Sequence, residues 1–202
     1  TFLQSMEVAS GDINKGKQLF AVCSACHGVN GEGKVSLNAP KLAGLSNWYL
    51  ERQLNYYKNG VRGSDNRDTY GQQMLAVSAG LQNDNAIPDV VAYIQTLSYI
   101  PTVKPPITSK QSNLLSGKSL YNNCSYCHGN NAQGNYAMNA PKLVGQHAWY
   151  LKRQLQLFKA GIRGSHPNDL YGDQMSLMSK TLHSEQAVDD VILYITSLEN
   201  SE

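Results

Sequence analysis

Cys23-Ser-Ala-Cys26-His27 returns 101 residues later (124 − 23 = 101) as Cys124-Ser-Tyr-Cys127-His128. Each stretch has the attachment pattern of a c-type haem, in which two thiols form thioethers to the vinyl groups and the imidazole of the next residue ligates the iron. Zinc knuckles, redox dithiols and short disulfides also use Cys-x-x-Cys, but zinc asks for a second pair within about 15 to 20 residues. None of these requires a His directly after the pair, and all four cysteines of the chain are used by the two motifs. The expected cofactors are therefore two covalently attached haem c groups, held by Cys23, Cys26, Cys124 and Cys127, with His27 and His128 as iron ligands.

The offset holds well beyond the motifs. From Cys23 through Leu97 the chain aligns with itself without a gap, and about half of the aligned positions are identical, the mark of a duplicated unit. Ala39-Pro40-Lys41-Leu42 pairs with Ala140-Pro141-Lys142-Leu143, Trp48-Tyr49-Leu50 with Trp149-Tyr150-Leu151, and Arg62-Gly63-Ser64 with Arg163-Gly164-Ser165. A stretch carrying Pro101, Pro105 and Pro106 separates the copies and reads as a semi-rigid spacer. The expected domains are 1–98 and 113–202, joined by a linker over 99–112.

Each copy shows three helical patterns. The first runs from about Lys15 to Cys23, the second carries Leu50, Leu54 and Tyr57 at i, i+4 and i+7, and the third carries Val90, Tyr93, Ile94 and Leu97. Asn83 or Asn85, and Ser184 in the second copy, are the expected caps of the third, and Pro88 fits only in its opening turn. Strand-like alternation is absent, so the expected fold is all-α, with long loops wrapping two tandem haem domains.

A His-ligated iron takes a second axial ligand or keeps an open face. Of the five methionines only Met74 and Met175 recur at the repeat distance, and none of His147, His166 and His183 recurs. A lone Met is ordinarily a core filler, but Met74 follows Tyr70-Gly-Gln-Gln in what reads as a polar loop. Met74 and Met175 are thus the expected sixth ligands, with Met178 the rival in the second copy. A thioether favours ferrous iron, and a His/Met pair raises the potential over bis-His.

Around the haems, the carbonyls of Pro40 and Pro141 can accept the Nδ1 proton of His27 and His128, fixing the tautomer and raising imidazole basicity. Arg62 and Arg163 are candidates to pair a propionate, against the reading of a solvated surface Arg. Trp48 and Trp149 can reach a propionate with the indole N–H, against simple core packing. Tyr70 and Tyr171 are candidates for the methionine side.

The 202 residues are 41% hydrophobic and 16% charged, enough for two small domains whose cores gain from an apolar haem. The formal charge of +2 is nearly cancelled by the propionates of two ferric haems, so no nucleic-acid partner is indicated. Up to Pro101 there are eight Lys+Arg against eight Asp+Glu, and beyond it nine against seven, too small an asymmetry to orient a docking partner. No apolar run of about 18 residues spans a membrane, which leaves peripheral association open. Residues 1–10 lack a basic region followed by an apolar stretch, so any export signal is expected to be already removed. Covalent haem attachment needs free thiols and takes place outside the bacterial cytoplasm or in the equivalent organelle space, so the periplasm is the expected compartment.

The paired Cys-x-x-Cys-His sites, the Pro-Lys-Leu-x-Gly segments at Pro40 and Pro141, the following Tyr-Leu-x-x-Gln-Leu helices and the Asp-Val-x-x-Tyr-Ile segments make the chain resemble the dihaem cytochrome c4 family. The likeness runs from about residue 13 to 200. It departs in Asn- and Gly-rich loops and in the leader before Asp12. The resemblance implies two class I cytochrome c domains related by a pseudo-twofold axis, neighbouring haem edges, and Met74 and Met175 as sixth ligands. It also implies electron transport in a respiratory chain, from a donor such as a quinol-oxidising complex toward a terminal oxidase. The alternatives are a haem subunit of a larger dehydrogenase and a dihaem peroxidase-type enzyme, the latter needing an axial site that the paired methionines close.

Overall fold

The computed structural model describes residues 11–99 and 113–198. Apart from Tyr99, the expected linker lies outside the described residues. Eight α-helices follow one another, α1 Ile13–His27, α2 Asn47–Lys58, α3 Thr69–Ser78, α4 Ala86–Gln95, α5 Leu114–His128, α6 Ala148–Lys159, α7 Leu170–Ser179 and α8 Glu185–Ser197, with a 3₁₀ turn at Val35–Leu37. Among the described residues there is no strand; the only β-type pairings are the isolated bridges Lys34–Ala39 and Asn135–Ala140.

The first helix of each copy is longer than its apolar pattern. Asp12 accepts the N–H groups of Asn14 and Lys15, and Asn113 those of Leu115 and Ser116, so both helices start early. They then run through the whole Cys-x-x-Cys-His motif. Gly28 and Gly129, with φ of 86° and 80°, end them immediately after the histidines. Against these helices lie α4 and α8, approaching so closely that a Cβ on Gly16 would fall 1.9 Å from the Asp89 carbonyl oxygen, and one on Gly117 2.0 Å from that of Asp190. The Asp89 and Asp190 carboxylates, both buried, accept the N–H of Asp12 and Asn113 and tie the start of one helix to the other.

Around each crossing forms an apolar core: Phe20, Leu50, Leu81, Ile87, Val90, Val91 and Ile94 in domain 1, and Tyr121, Leu151, Leu182, Val188, Val191, Ile192 and Ile195 in domain 2. Burying each such side chain stabilises by about 1.5–3 kcal/mol. Ser184 caps α8 by accepting from Ala187 N–H. Asn85 stands at the cap of α4 without a side-chain bond, while Asn83 turns the chain just before it by accepting from Asn85 N–H. Pro88 is the third residue of α4, where its missing N–H costs nothing.

One expectation is corrected. Met74 and Met175 lie in helices, α3 and α7, and not in polar loops. The buried face of α3 is Gly71 and Ser78, and that of α7 Gly172, Ser176 and Ser179, so neither shows an apolar stripe. Both are started by a buried aspartate, Asp68 accepting from Gly71 N–H and Asp169 from Gly172 N–H.

Candidate haem sites and the interface between them

In domain 1 the motif helix ends with His27 buried, and in domain 2 with His128 buried. Each imidazole donates Nδ1–H to a carbonyl thirteen residues on, His27 to Pro40 and His128 to Pro141, both at 2.8 Å. Burial pushes both imidazole pKa values below the ordinary histidine value, and the carbonyl bond pulls back only part of the way. The rings are therefore neutral at pH 7, with Nε2 left as a lone-pair donor. Among the described residues the Nε2 of His128 is buried and has no hydrogen-bond partner, a costly arrangement unless a metal takes the lone pair.

Cys23 and Cys124 stand one helical turn before the histidines, and Cys26 and Cys127 directly before them. All four are free thiols, Cys26 exposed and Cys23, Cys124 and Cys127 part-exposed, and so open to bond formation. Burial, with a smaller contribution from Cys127, raises the Cys124 thiol to about 11, and burial likewise raises Cys23. Met74 and Met175 are half-buried on α3 and α7. Met178, one turn beyond Met175, is 40% exposed.

Arg62 and Arg163 are not surface residues. They are 6% and 9% exposed and meet at the boundary between the domains. Arg62 donates to Gln53 of its own domain at 2.6 Å and to Gln154 and Tyr150 of the other at 2.9 and 3.2 Å. Arg163 mirrors it, donating to Gln154 at 2.6 Å and, across the boundary, to Gln53 and Tyr49 at 3.1 and 3.3 Å. Each glutamine oxygen thus serves both guanidinium groups in a closed ring. Among the described residues no carboxylate pairs with either arginine, and both Nε atoms are buried without a partner. The positive field is felt by Tyr49: burial raises its phenol, yet the Arg163 and Arg62 guanidinium groups outweigh that and bring it below the ordinary tyrosine value. Two buried cations with no carboxylate partner among the described residues are expensive. A cleft of about 290 Å³ opens beside them between residues 61–68 and 162–167.

Trp48 and Trp149 are the second residues of α2 and α6, outside both apolar cores. Trp48 meets Tyr136 of the other domain edge-on, with centroids 5.7 Å apart. The Nε1 of Trp149 is buried and has no partner among the described residues. Of the orphaned atoms, Nε2 of His128 is one that a haem iron would satisfy, and Nε1 of Trp149 and Nε of Arg62 and Arg163 are donors that propionate oxygens would satisfy; Nε of Arg52 and Arg153 are likewise buried without a partner among the described residues. The residues present fit the group.

Several interface residues escaped the sequence reading. Arg52 donates to Asn139 Oδ1 and O at 3.1 and 2.9 Å, and Arg153 to Asn38 Oδ1 and O at the same distances. Tyr171 stacks on Arg52 and Tyr70 on Arg153, each across the boundary, at 4.6 and 4.3 Å from ring centroid to guanidinium carbon. These contacts exchange domain 1 for domain 2 pair by pair, which is a pseudo-twofold relation. Tyr99 sits between Lys41 and Lys142, whose ammonium groups lie 4.4 and 5.0 Å from its ring centroid. The recurrence of Asn38, Arg52 and Gln53 at the repeat distance was a usable signal; Gln146, whose side chain grips the Lys41 backbone, has no twin and gave none.

Two helical units that each end their first helix on a thiol pair and a neutral buried imidazole define a c-type cytochrome with two haems. A cytochrome c family model matches residues 13–98 and again 114–199. Cytochrome c4 of Azotobacter vinelandii is 35% identical over 179 residues, spanning 85% of this chain and 81% of that protein. A thiosulfate dehydrogenase electron acceptor of Thiomonas intermedia strain K12 is 32% identical over 157 residues, 73% of this chain and 67% of that one. The crystal structure of reduced recombinant cytochrome c4 from Pseudomonas stutzeri matches with a TM-score of 0.72 at 30% identity, over 92% of this chain and 98% of that chain. The chain belongs to the cytochrome c4 family. It is a dihaem electron carrier with covalently bound haem c.

Proposed function

We propose that this protein is a periplasmic shuttle whose two irons are both closed, that of domain 1 by His27 and Met74 and that of domain 2 by His128 and Met175. Cys23, Cys26, Cys124 and Cys127 carry the thioether bonds. When bound, each haem supplies a one-electron ferrous/ferric couple. Arg62, Arg163 and the Trp48 and Trp149 indoles hold propionates at the boundary, so the two haem edges approach one another there. Pro40 and Pro141 fix the imidazole tautomers. The domains extend over 1–98 and 113–202, with 99–112 between them.

The observation that carries this reading is the repeated buried histidine, pinned at Nδ1 in both copies and, in His128, with a buried Nε2 that has no hydrogen-bond partner among the described residues, together with a methionine recurring at the same offset. With both axial positions taken, no substrate reaches iron, and the protein is a carrier and not an enzyme. Donor and acceptor dock weakly through small patches, the donor a quinol-oxidising complex and the acceptor a terminal oxidase. A second reading, in which the donor is a dehydrogenase of sulfur compounds, is favoured by the Thiomonas intermedia relative. Among the described residues no helix is long and apolar enough to cross a membrane, so partners are met at a surface.

Exposure of the reduced holoprotein to carbon monoxide at neutral pH tests the closed irons. An unchanged visible spectrum is expected. A shifted Soret band would mean that one iron is open, and the carrier reading would fail.

A further inference from the structure

We propose that Gln146, in domain 2, is a positioning residue that holds down the reduction potential of the haem in domain 1, an inference that rests on His27 being an axial ligand. The Pro40–Lys41 peptide group is engaged at both ends. Its carbonyl accepts Nδ1–H of His27 at 2.8 Å, and its N–H donates to Gln146 Oε1 at 3.1 Å. Gln146 also donates Nε2–H to the Lys41 carbonyl at 2.9 Å, so its amide is locked in one orientation, and it is only 5% exposed. In a buried chain of hydrogen bonds each member polarises the next. An acceptor on the N–H of an amide makes its carbonyl oxygen more negative. That oxygen then draws harder on the His27 proton, and the imidazole becomes a stronger donor at Nε2. Electron-rich nitrogen favours ferric iron.

The second haem lacks this device. His128 makes the same 2.8 Å bond to Pro141, but the residue one repeat before Gln146 is Leu45, a hydrocarbon that packs on the core of its own domain. His147 strengthens the inequality by donating Nε2–H across the boundary to the Glu32 carbonyl at 2.9 Å, where the other copy has Ser46. Two sites with matching ligands are thus supported differently behind one histidine only.

The test is a redox titration of the holoprotein followed by NMR, which reads each haem separately. Gln146→Leu is expected to raise the domain-1 midpoint by about threefold in the reduction equilibrium, about 28 mV at about 59 mV per tenfold for one electron, and to leave the domain-2 midpoint in place. Gln146→Glu, which keeps an acceptor on Lys41 N–H and adds charge, is expected to lower it. A merely structural role would move both variants in the same direction. That result, equal movement of both haems, or no movement in either variant overturns the proposal. If Gln146→Leu does not fold, Gln146→Glu alone decides through the sign of its shift. Replacement of His27 with Gly leaving the domain-1 haem spectrum unaltered would instead sink the ligand assignment, an outcome separate from silence at Gln146.

Discussion

The two halves share their motif helices, their aspartate-started third helices and the 2.8 Å imidazole-to-proline bonds, yet they differ in how the loop behind the histidine is held. The domain-1 loop carrying Pro40 is gripped by an arginine, a glutamine and a histidine of its neighbour. The domain-2 loop carrying Pro141 has the matching arginine contact, Arg52 to Asn139, whereas Leu45 and Ser46 stand at the positions equivalent to Gln146 and His147. Duplication gave two equal sites, and the interface is where they became unequal. Because each domain supports the loop of the other, a change on the boundary face of one half is felt behind the histidine of the other.

The largest effect expected is on the methionines proposed as sixth ligands. Met74→Ala and Met175→Ala are each expected to convert one of the two reduced haems to a carbon-monoxide-binding form, a different one in each variant; a response from both haems would show that the halves are not independent centres, and no response would show that the methionine is not a ligand. The next largest is on packing. Gly16→Ala and Gly117→Ala push a methyl into the Asp89 and Asp190 carbonyls and each costs about 1–3 kcal/mol or more by overpacking, visible as a lowered denaturation midpoint. Equal losses are expected, since the helix crossing is the same in both halves.

Cross-domain clamps come third. Arg52→Ala and Arg153→Ala each remove two hydrogen bonds from a guanidinium and a stacked tyrosine, worth about 1.5–3 kcal/mol. Arg153→Ala acts on the Pro40 loop and is expected to shift the domain-1 potential, and Arg52→Ala that of domain 2; a redox titration shows whether the crossing holds. The smallest effect separates the halves at the last helix. Ser184→Ala costs about 1 kcal/mol, because its oxygen caps α8, while Asn85→Ala is nearly neutral because its side chain caps nothing. Chemical denaturation of both variants measures the difference.

Much of this was legible before folding was considered. The haem attachment residues were given away by spacing, and the matched Leu50/Leu151 pair and the pattern carrying Val90 and Ile94 marked the cores. The helices α3 and α7 were not legible, since the side chains they bury are glycine and serine and the aspartates that start them sit outside any apolar period. Arg62 and Arg163 were noticed for their recurrence, but their neighbours were hidden: Gln154 and Tyr150 lie 92 and 88 residues from Arg62. Burial of a charged side chain among distant polar ones leaves no periodic trace.

The amino-acid order by itself determined the duplication, the two thiol-and-imidazole motifs and the recurring methionines, because covalent chemistry and ligation demand particular residue types at short fixed spacings. Only the tertiary structure decided that the two arginines face one another with no carboxylate partner among the described residues, that each domain clamps the loop of its neighbour, and that Gln146 grips the peptide behind His27. Those are contacts between residues about a hundred positions apart, and their energies depend on burial and on which face each helix turns toward the boundary. Such dependence arises when two surfaces meet, and no local pattern encodes it.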